Sequence, residues 1–249
     1  MTRPPQTIVL VHGAWHGGWC YGRVADLLRG SGHRVYTPTL TGLCERSHLL
    51  SPSINLSTHI ADIVNLMRWE DLQQIVLVGH SYGGIVVTGV ADAMAERVSA
   101  LVYLDAFVPT AGKSFHDILP AEVAEAQVRG ADAGNGYTVP PIPAAGFNVN
   151  VKDRAWVDSL CTPHPLGTLT QPISLTGNHS RIAVKSYVFA ANNPVPLFAE
   201  HARAMRGDPS CKSYDLPCGH DVMIDLPQDT AAIIEEAAAR AAALAGSPR

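Results

Sequence analysis

Short aliphatic runs alternate with longer amphipathic stretches along most of this chain, and that rhythm sets the fold class. The runs at 7–11, 33–37, 75–78, 100–104, 184–190 and 211–216 are too short for helices, and turn residues punctuate their ends, so they read as strands. Between them, residues 19–29, 57–69, 196–206 and 228–244 read as helices, and in the second of these Ile60, Ile63, Val64 and Met67 share one face. Strand and helix in alternation predict an α/β protein with a mostly parallel sheet of about six strands and helices on both faces. From 110 to 181 the rhythm fails. Prolines at 120, 140, 141, 143, 163, 165 and 172, with glycines at 130, 134, 136 and 146, leave pieces too short to continue the sheet. This predicts a core of residues 1–109 and 182–249 and an inserted cap of residues 110–181.

The third strand carries the chemistry. Ile75-Val76-Leu77-Val78 runs into Gly79-His80-Ser81-Tyr82-Gly83, and an apolar stretch suited to a buried helix follows at once. Gly-x-Ser-x-Gly between strand and helix is the spelling of a nucleophile elbow, in which a sharp, strained turn pushes the serine hydroxyl into an open site. Gly79 and Gly83 would be small because strand and helix cross there. In open α/β sheets the site lies beyond the carboxyl ends of the strands, so His12-Gly13-Ala14, after the first strand, should meet Ser81. An attacked ester carbonyl needs N–H donors aimed at its developing charge; the amides of Tyr82 and Ala14 are the candidates. His220, on the loop after the last strand, is the candidate general base. His80 should pack at the foot of the elbow. His12 and His16 have metal-ligand spacing for a helix, but Gly13, Gly17 and Gly18 argue against a helix there.

Composition narrows the partners. A chain of 249 residues that is 47% hydrophobic can bury one large core. With 18 basic and 22 acidic residues, net charge −4 and no basic cluster, it has nothing to track a nucleic-acid backbone. No apolar run is long enough to span a membrane, and residues 1–6 are too short and polar for a secretory signal, which predicts a soluble cytoplasmic protein. The five cysteines, Cys20, Cys44, Cys161, Cys211 and Cys218, lack CxxC spacing and read as reduced thiols, with neither a disulfide framework nor a metal site.

Leu10-Val11-His12-Gly13-Ala14-Trp15-His16-Gly17-Gly18-Trp19, taken with Gly79-His80-Ser81-Tyr82-Gly83-Gly84 and Gly219-His220-Asp221-Val222-Met223, resembles the plant methylesterase and hydroxynitrile lyase branch of the α/β-hydrolase superfamily. The resemblance covers nearly the whole chain outside the cap. It implies a serine esterase acting on small apolar or aromatic esters through an acyl-enzyme, with no cofactor, and it allows a homodimer. One departure matters: where that branch carries its catalytic aspartate after the cap, this chain reads Ala191-Asn192-Asn193-Pro194. Elimination points to Asp105, at the end of the strand after the elbow helix, a position the wider superfamily uses. Asp208 and Asp215 fall before and within the last strand, and Asp221 adjoins His220 itself.

Two alternatives accompany the esterase reading. Lyases of the branch carry a lysine shortly after the histidine and a threonine at the oxyanion loop, where this chain has Asp221-Val222-Met223 and an intact Gly13. A receptor-like protein that binds without turnover is the other. The pocket is expected to draw on Trp15, Phe107, Tyr137, Phe147 and Trp156, and a cap without a long amphipathic helix suits short or aromatic esters better than lipids.

Overall fold

The computed structural model describes residues 5–246. Its core strands are β1 (Thr7–Val11), β2 (Arg34–Tyr36), β3 (Ile75–His80) and β4 (Val98–Leu104), then, after the intervening β5 (Thr138–Val139) and β6 (His164–Pro165), β7 (Lys185–Ala190) and β8 (Cys211–Leu216). The six core strands form one parallel sheet in the order β2-β1-β3-β4-β7-β8. Alternation along each strand divides the core in two. Ile8 and Leu10, with Val76, Val78 and Val102, pack against α1 (Gly22–Gly30) and the terminal helix 227–245. Val9 and Val11, with Leu77 and Leu101, face the opposite way, against α2 (Leu56–Trp69) and α3 (Gly83–Ala93). Because the middle strands are covered on both faces, β3 is buried from end to end, which is why its sequence is a continuous apolar run.

Local signals explain the helix ends. Asn55 caps α2 reciprocally with Thr58, closing a capping box. The predicted helix 19–29 is in fact two pieces, a 3₁₀ turn (Gly18–Tyr21) followed by α1. The segment between β4 and β7 holds α4 (Ala121–Asp132), α5 (Arg154–Leu160), α6 (Gly167–Thr170) and the antiparallel β5–β6 pair. Its longest helix therefore has three turns, and its strands are separate from the main sheet. The helices after β7 are α7 (Pro196–Arg206), α8 (Val222–Asp225) and α9 (Pro227–Ala245). No helix among the described residues is long and apolar enough to cross a membrane. All five cysteines are free thiols, Cys20 and Cys218 buried and the others half-buried.

Register delivers the functional candidates to one edge of the sheet. Val11 pairs with Gly79, and His80 with Leu104, so the residues that follow β1, β3 and β4 emerge side by side. The Ser81 N–H donates to Leu104 O and the Phe107 N–H to Ser81 O, stitching the ends of β3 and β4 together. Ala190 pairs with Leu216, which brings the loop after β8 in from the other side.

A carboxylate at the far end of α3 anchors the return to β7. Asp92 is buried and accepts from the Thr176, Gly177 and His179 N–H groups, the Thr176 hydroxyl and His179 Nδ1. Burial pushes its carboxyl up, but His179 and these amides outweigh that and hold it well below the usual range. A depressed carboxylate stabilises the fold above its unfolded value of about 4, and that contribution is lost as pH falls toward the folded value. Asp92→Ala should cost about 3 kcal/mol at neutral pH, because it strands buried donors; urea unfolding measures it.

Candidate active site

Three residues at this edge have φ in the left-handed region: Trp15 at 65°, Ser81 at 52° and Asp105 at 41°. None is glycine, and they sit just beyond three adjacent strands, so backbone strain is concentrated where the candidates converge. Ser81 stands at the strand-to-helix turn expected of an elbow and is 9% exposed. A Cβ at Gly79 would come 2.6 Å from Gly83 O, and one at Gly83 would come 2.6 Å from His12 O. The second contact differs from the expected strand–helix crossing: Gly83 is small because the end of β1 passes over it. Position 13 has the same constraint, since a Cβ there would lie 2.9 Å from Ser81 Cβ.

His220 and Asp105 are brought together. His220 Nδ1 lies 2.7 Å from Asp105 Oδ2, with both side chains buried. Asp105 Oδ1 accepts from the Ala190 N–H at 3.1 Å, and Oδ2 also accepts from the Asn193 side-chain amide. Asn193 Nδ2 and His220 Nδ1 are 3.1 Å apart because both donate to one oxygen. That fixes the ring with its proton on Nδ1 and leaves Nε2 as the basic nitrogen. Among the described residues no hydrogen bond joins Ser81 to His220, a looseness usual in sites that tighten around a reacting group.

The loop after β1 is held by histidines. His12 Nε2 accepts from the Leu40 N–H at 3.0 Å, so its proton is on Nδ1, which donates to Gly13 O at 2.8 Å. That carbonyl belongs to the same peptide as the Ala14 N–H. Burial pulls His12 down to about 3 and keeps it neutral. The Trp15 N–H donates to His164 Nδ1 at 3.2 Å and its indole to Val139 O at 3.1 Å. Tyr82 is anchored through its hydroxyl, which donates to His59 Nδ1 at 3.0 Å, while His59 Nε2 donates to Thr41 O. Burial pulls His59 down to about 4. His12 and His16 do not lie on a helix, so their spacing has no ligand geometry behind it.

Of the expected pocket aromatics, Phe147 lies against His220 with ring centroids 5.2 Å apart and against Trp15 at 5.9 Å. Phe107 packs on Phe115 and Phe198, and Phe198 in turn covers His220 at 4.6 Å. Tyr137 sits half-buried just before β5, and its carbonyl accepts from the Leu166 N–H. Trp156 is not brought to the site. It is 37% exposed on α5, edge-on to Trp19 at 5.0 Å and beneath Arg23 at 5.3 Å, because α5 turns this face outward over α1. Phe198, which covers the histidine, was missed; it sits on α7, where nothing in the sequence separates it from ordinary core.

His80 is buried at the foot of the elbow and donates from Nε2 to His220 O at 3.1 Å. Asp221, buried beside it, pairs with His16 Nε2 at 3.1 Å. His80, His220 and Asp221 offer ligand atoms within 4.8 Å of one another. A cation there would face a carboxylate already paired with His16 and a His220 whose Nδ1 is engaged by Asp105. A groove of about 610 Å³ between α2, α3 and residues 171–178 contains none of these groups. Among its polar lining side chains, Asp92 and Gln171 are satisfied by their own neighbours.

The model of the alpha/beta hydrolase family matches residues 8–233. The chain belongs to that family. It is 44% identical over 231 residues to a carbendazim hydrolyzing esterase of Nocardioides sp. (strain SG-4G), covering 90% of this chain and 96% of that protein. Methylesterase 2 of Arabidopsis thaliana is 36% identical over 115 residues, 42% of this chain and 40% of that one. Among solved structures, an extracellular alpha/beta-hydrolase from a Paenibacillus species superposes with a TM-score of 0.83 at 24% identity, over 94% of this chain and 99% of that one, and it shares this fold.

Proposed function

We propose that this alpha/beta hydrolase is a serine esterase acting on small apolar or aromatic esters. The observation that carries the reading is the 2.7 Å contact of His220 Nδ1 with Asp105, which leaves Nε2 free to take a proton at the edge of the sheet where the strained Ser81 emerges. His220 takes the Ser81 proton as the hydroxyl attacks the ester carbonyl, and the tetrahedral oxyanion is held by the N–H groups of Ala14 and Tyr82. Collapse expels the alcohol, which receives the proton from His220. Water, deprotonated by the same nitrogen, then releases the acid and restores Ser81. Protein groups and water suffice for every step, so the scheme calls on no cofactor.

Residues 110–181 act as the cap in this reading. They are pinned to the core by the Thr162 N–H on Trp15 O and the His220 N–H on Phe147 O, and Phe147 and Trp15 supply the apolar wall. The named sequence relatives are esterases and hydrolases, which favours hydrolysis over cyanohydrin cleavage or turnover-free binding. The 44% identical relative is named for carbendazim, so that compound belongs beside simple esters in a substrate panel.

A fluorophosphonate should add its mass at Ser81, and p-nitrophenyl acetate should be hydrolysed at least 10-fold faster than the palmitate, whose chain outruns a site closed by Phe147 and Phe198. An unlabelled serine would remove the nucleophile from the scheme. Equal rates on the two esters would remove the closed apolar pocket.

A further inference from the structure

His16 is buried, and the two hydrogen-bond partners of its ring are both acceptors. Its Nδ1 is 2.8 Å from Ala14 O, a carbonyl, and its Nε2 is 3.1 Å from Asp221 Oδ2, a carboxylate. Neither partner has a proton to give, so both contacts are hydrogen bonds only when both ring nitrogens carry one. The ring is 2% exposed and Asp221 is fully buried. Its histidine neighbours are in different states. His12 and His164 each accept a backbone N–H at one ring nitrogen, which makes them neutral, and His80 leaves Nδ1 without a partner.

We propose that His16, as a buried imidazolium paired with Asp221, is a positioning residue that clamps the loop carrying Ala14 to the loop carrying His220. The proposal rests on the esterase reading and adds a device to it. Ala14 is held at both of its peptides, by His12 on Gly13 O and by His16 on its own carbonyl, so its N–H has little freedom to swing. Asp221 follows His220 directly, and His80 Nε2 bonds the His220 carbonyl while lying 3.7 Å from Asp221 Oδ1. One charged pair thus sets the spacing between an oxyanion donor and the base.

The groups facing His16 are Asp221 from the loop after β8, His80 from β3, His12 from its own segment, and His164 from β6. Trp19 stacks on the ring at 5.2 Å. Asp221 is the one facing group that carries a charge. Burial would lower His16, but the Asp221 charge and hydrogen bond outweigh it and raise it above its ordinary value. Burial would likewise raise Asp221, and His16 reverses that. Both shifts run in the direction that favours the ion pair which the two acceptors on His16 call for.

The test uses the full chain labelled with ¹⁵N-histidine, with His16 signals assigned by their loss in His16→Gln. At neutral pH both His16 ring nitrogens should read as protonated while His12, His59, His80 and His164 read as neutral; a neutral His16 overturns the clamp. In kinetics normalised to the fluorophosphonate-titrated Ser81, Asp221→Asn and His16→Gln should each lower kcat by about 10- to 100-fold with KM within about 3-fold, as expected of a slightly displaced donor. Should either single variant fold poorly, the neutral pair His16→Gln with Asp221→Asn, which keeps a hydrogen-bonding partner on each side, should fold and recover kcat above the singles. Variants that lose stability but keep wild-type kcat per titrated site would show an ordinary structural pair and overturn the proposal. A wild-type Ser81 that takes no label would overturn the esterase reading instead, so the two failures are distinguishable.

Discussion

Ser81→Ala should lower kcat for p-nitrophenyl acetate by on the order of 10⁶-fold and leave the melting temperature within about 3 °C of wild type. The large kinetic effect follows because the hydroxyl is the only group removed and the covalent route is lost with it; what remains is the help of the Ala14 and Tyr82 amides. The small thermal effect follows from the local structure. Alanine keeps the Cβ that fills the elbow, and it inherits the same φ of 52°, so the strain is unchanged. The Ser81 backbone N–H and carbonyl retain their bonds to Leu104 and Phe107. Activity above about a tenth of wild type would mean that ester hydrolysis in this protein does not pass through Ser81.

The parts of this structure that were legible in the sequence are those governed by local pattern or by sheet adjacency. β1, α7 and β8 begin and end where the hydrophobic runs and their bounding prolines and glycines put them. Asp105 could be singled out by elimination among the acids and by its place at the end of the strand after the elbow helix, and that strand, β4, does neighbour β3. What was not legible depends on contacts between distant residues. β5 and β6 are two-residue strands that exist only because Thr138 meets Pro165, and neither has a hydrophobic period of its own. Trp156 looked like pocket material because it is aromatic and lies in the insertion, yet the side on which α5 presents it was decided by Trp19 and Arg23, far away in sequence. The His16–Asp221 pair joins residues 205 positions apart, and Asp221 had been weighed only as a partner for the ring next to it. A faint signal existed: a buried-looking loop with histidines at 12 and 16, and an acid beside the base with no obvious duty.

Asn193 lies in the stretch Ala191-Asn192-Asn193-Pro194 that matches the place of the acid in the branch this chain resembles, and the arrangement around Asp105 says what each residue should be worth. Three donors converge on Asp105: the Ala190 N–H on one oxygen, and His220 Nδ1 and the Asn193 amide on the other. A carboxylate accepts at both oxygens. Asp105→Asn cannot, because one of its two terminal atoms becomes an NH₂ that must face either the Ala190 N–H or the pair of donors. The cheapest relief is for His220 to move its proton to Nε2 and accept at Nδ1, which turns the wrong nitrogen toward Ser81. The variant should therefore lose roughly 10²- to 10⁴-fold in kcat while remaining folded. Asn193→Ala removes one donor and leaves the other two, and the His220 tautomer stands, so its loss should be no more than about 10-fold. Measured side by side on one ester, with folding checked by circular dichroism, the ranking decides the matter. If Asp105→Asn is near wild type and Asn193→Ala is severe, the proton on His220 is directed from β7 rather than from β4.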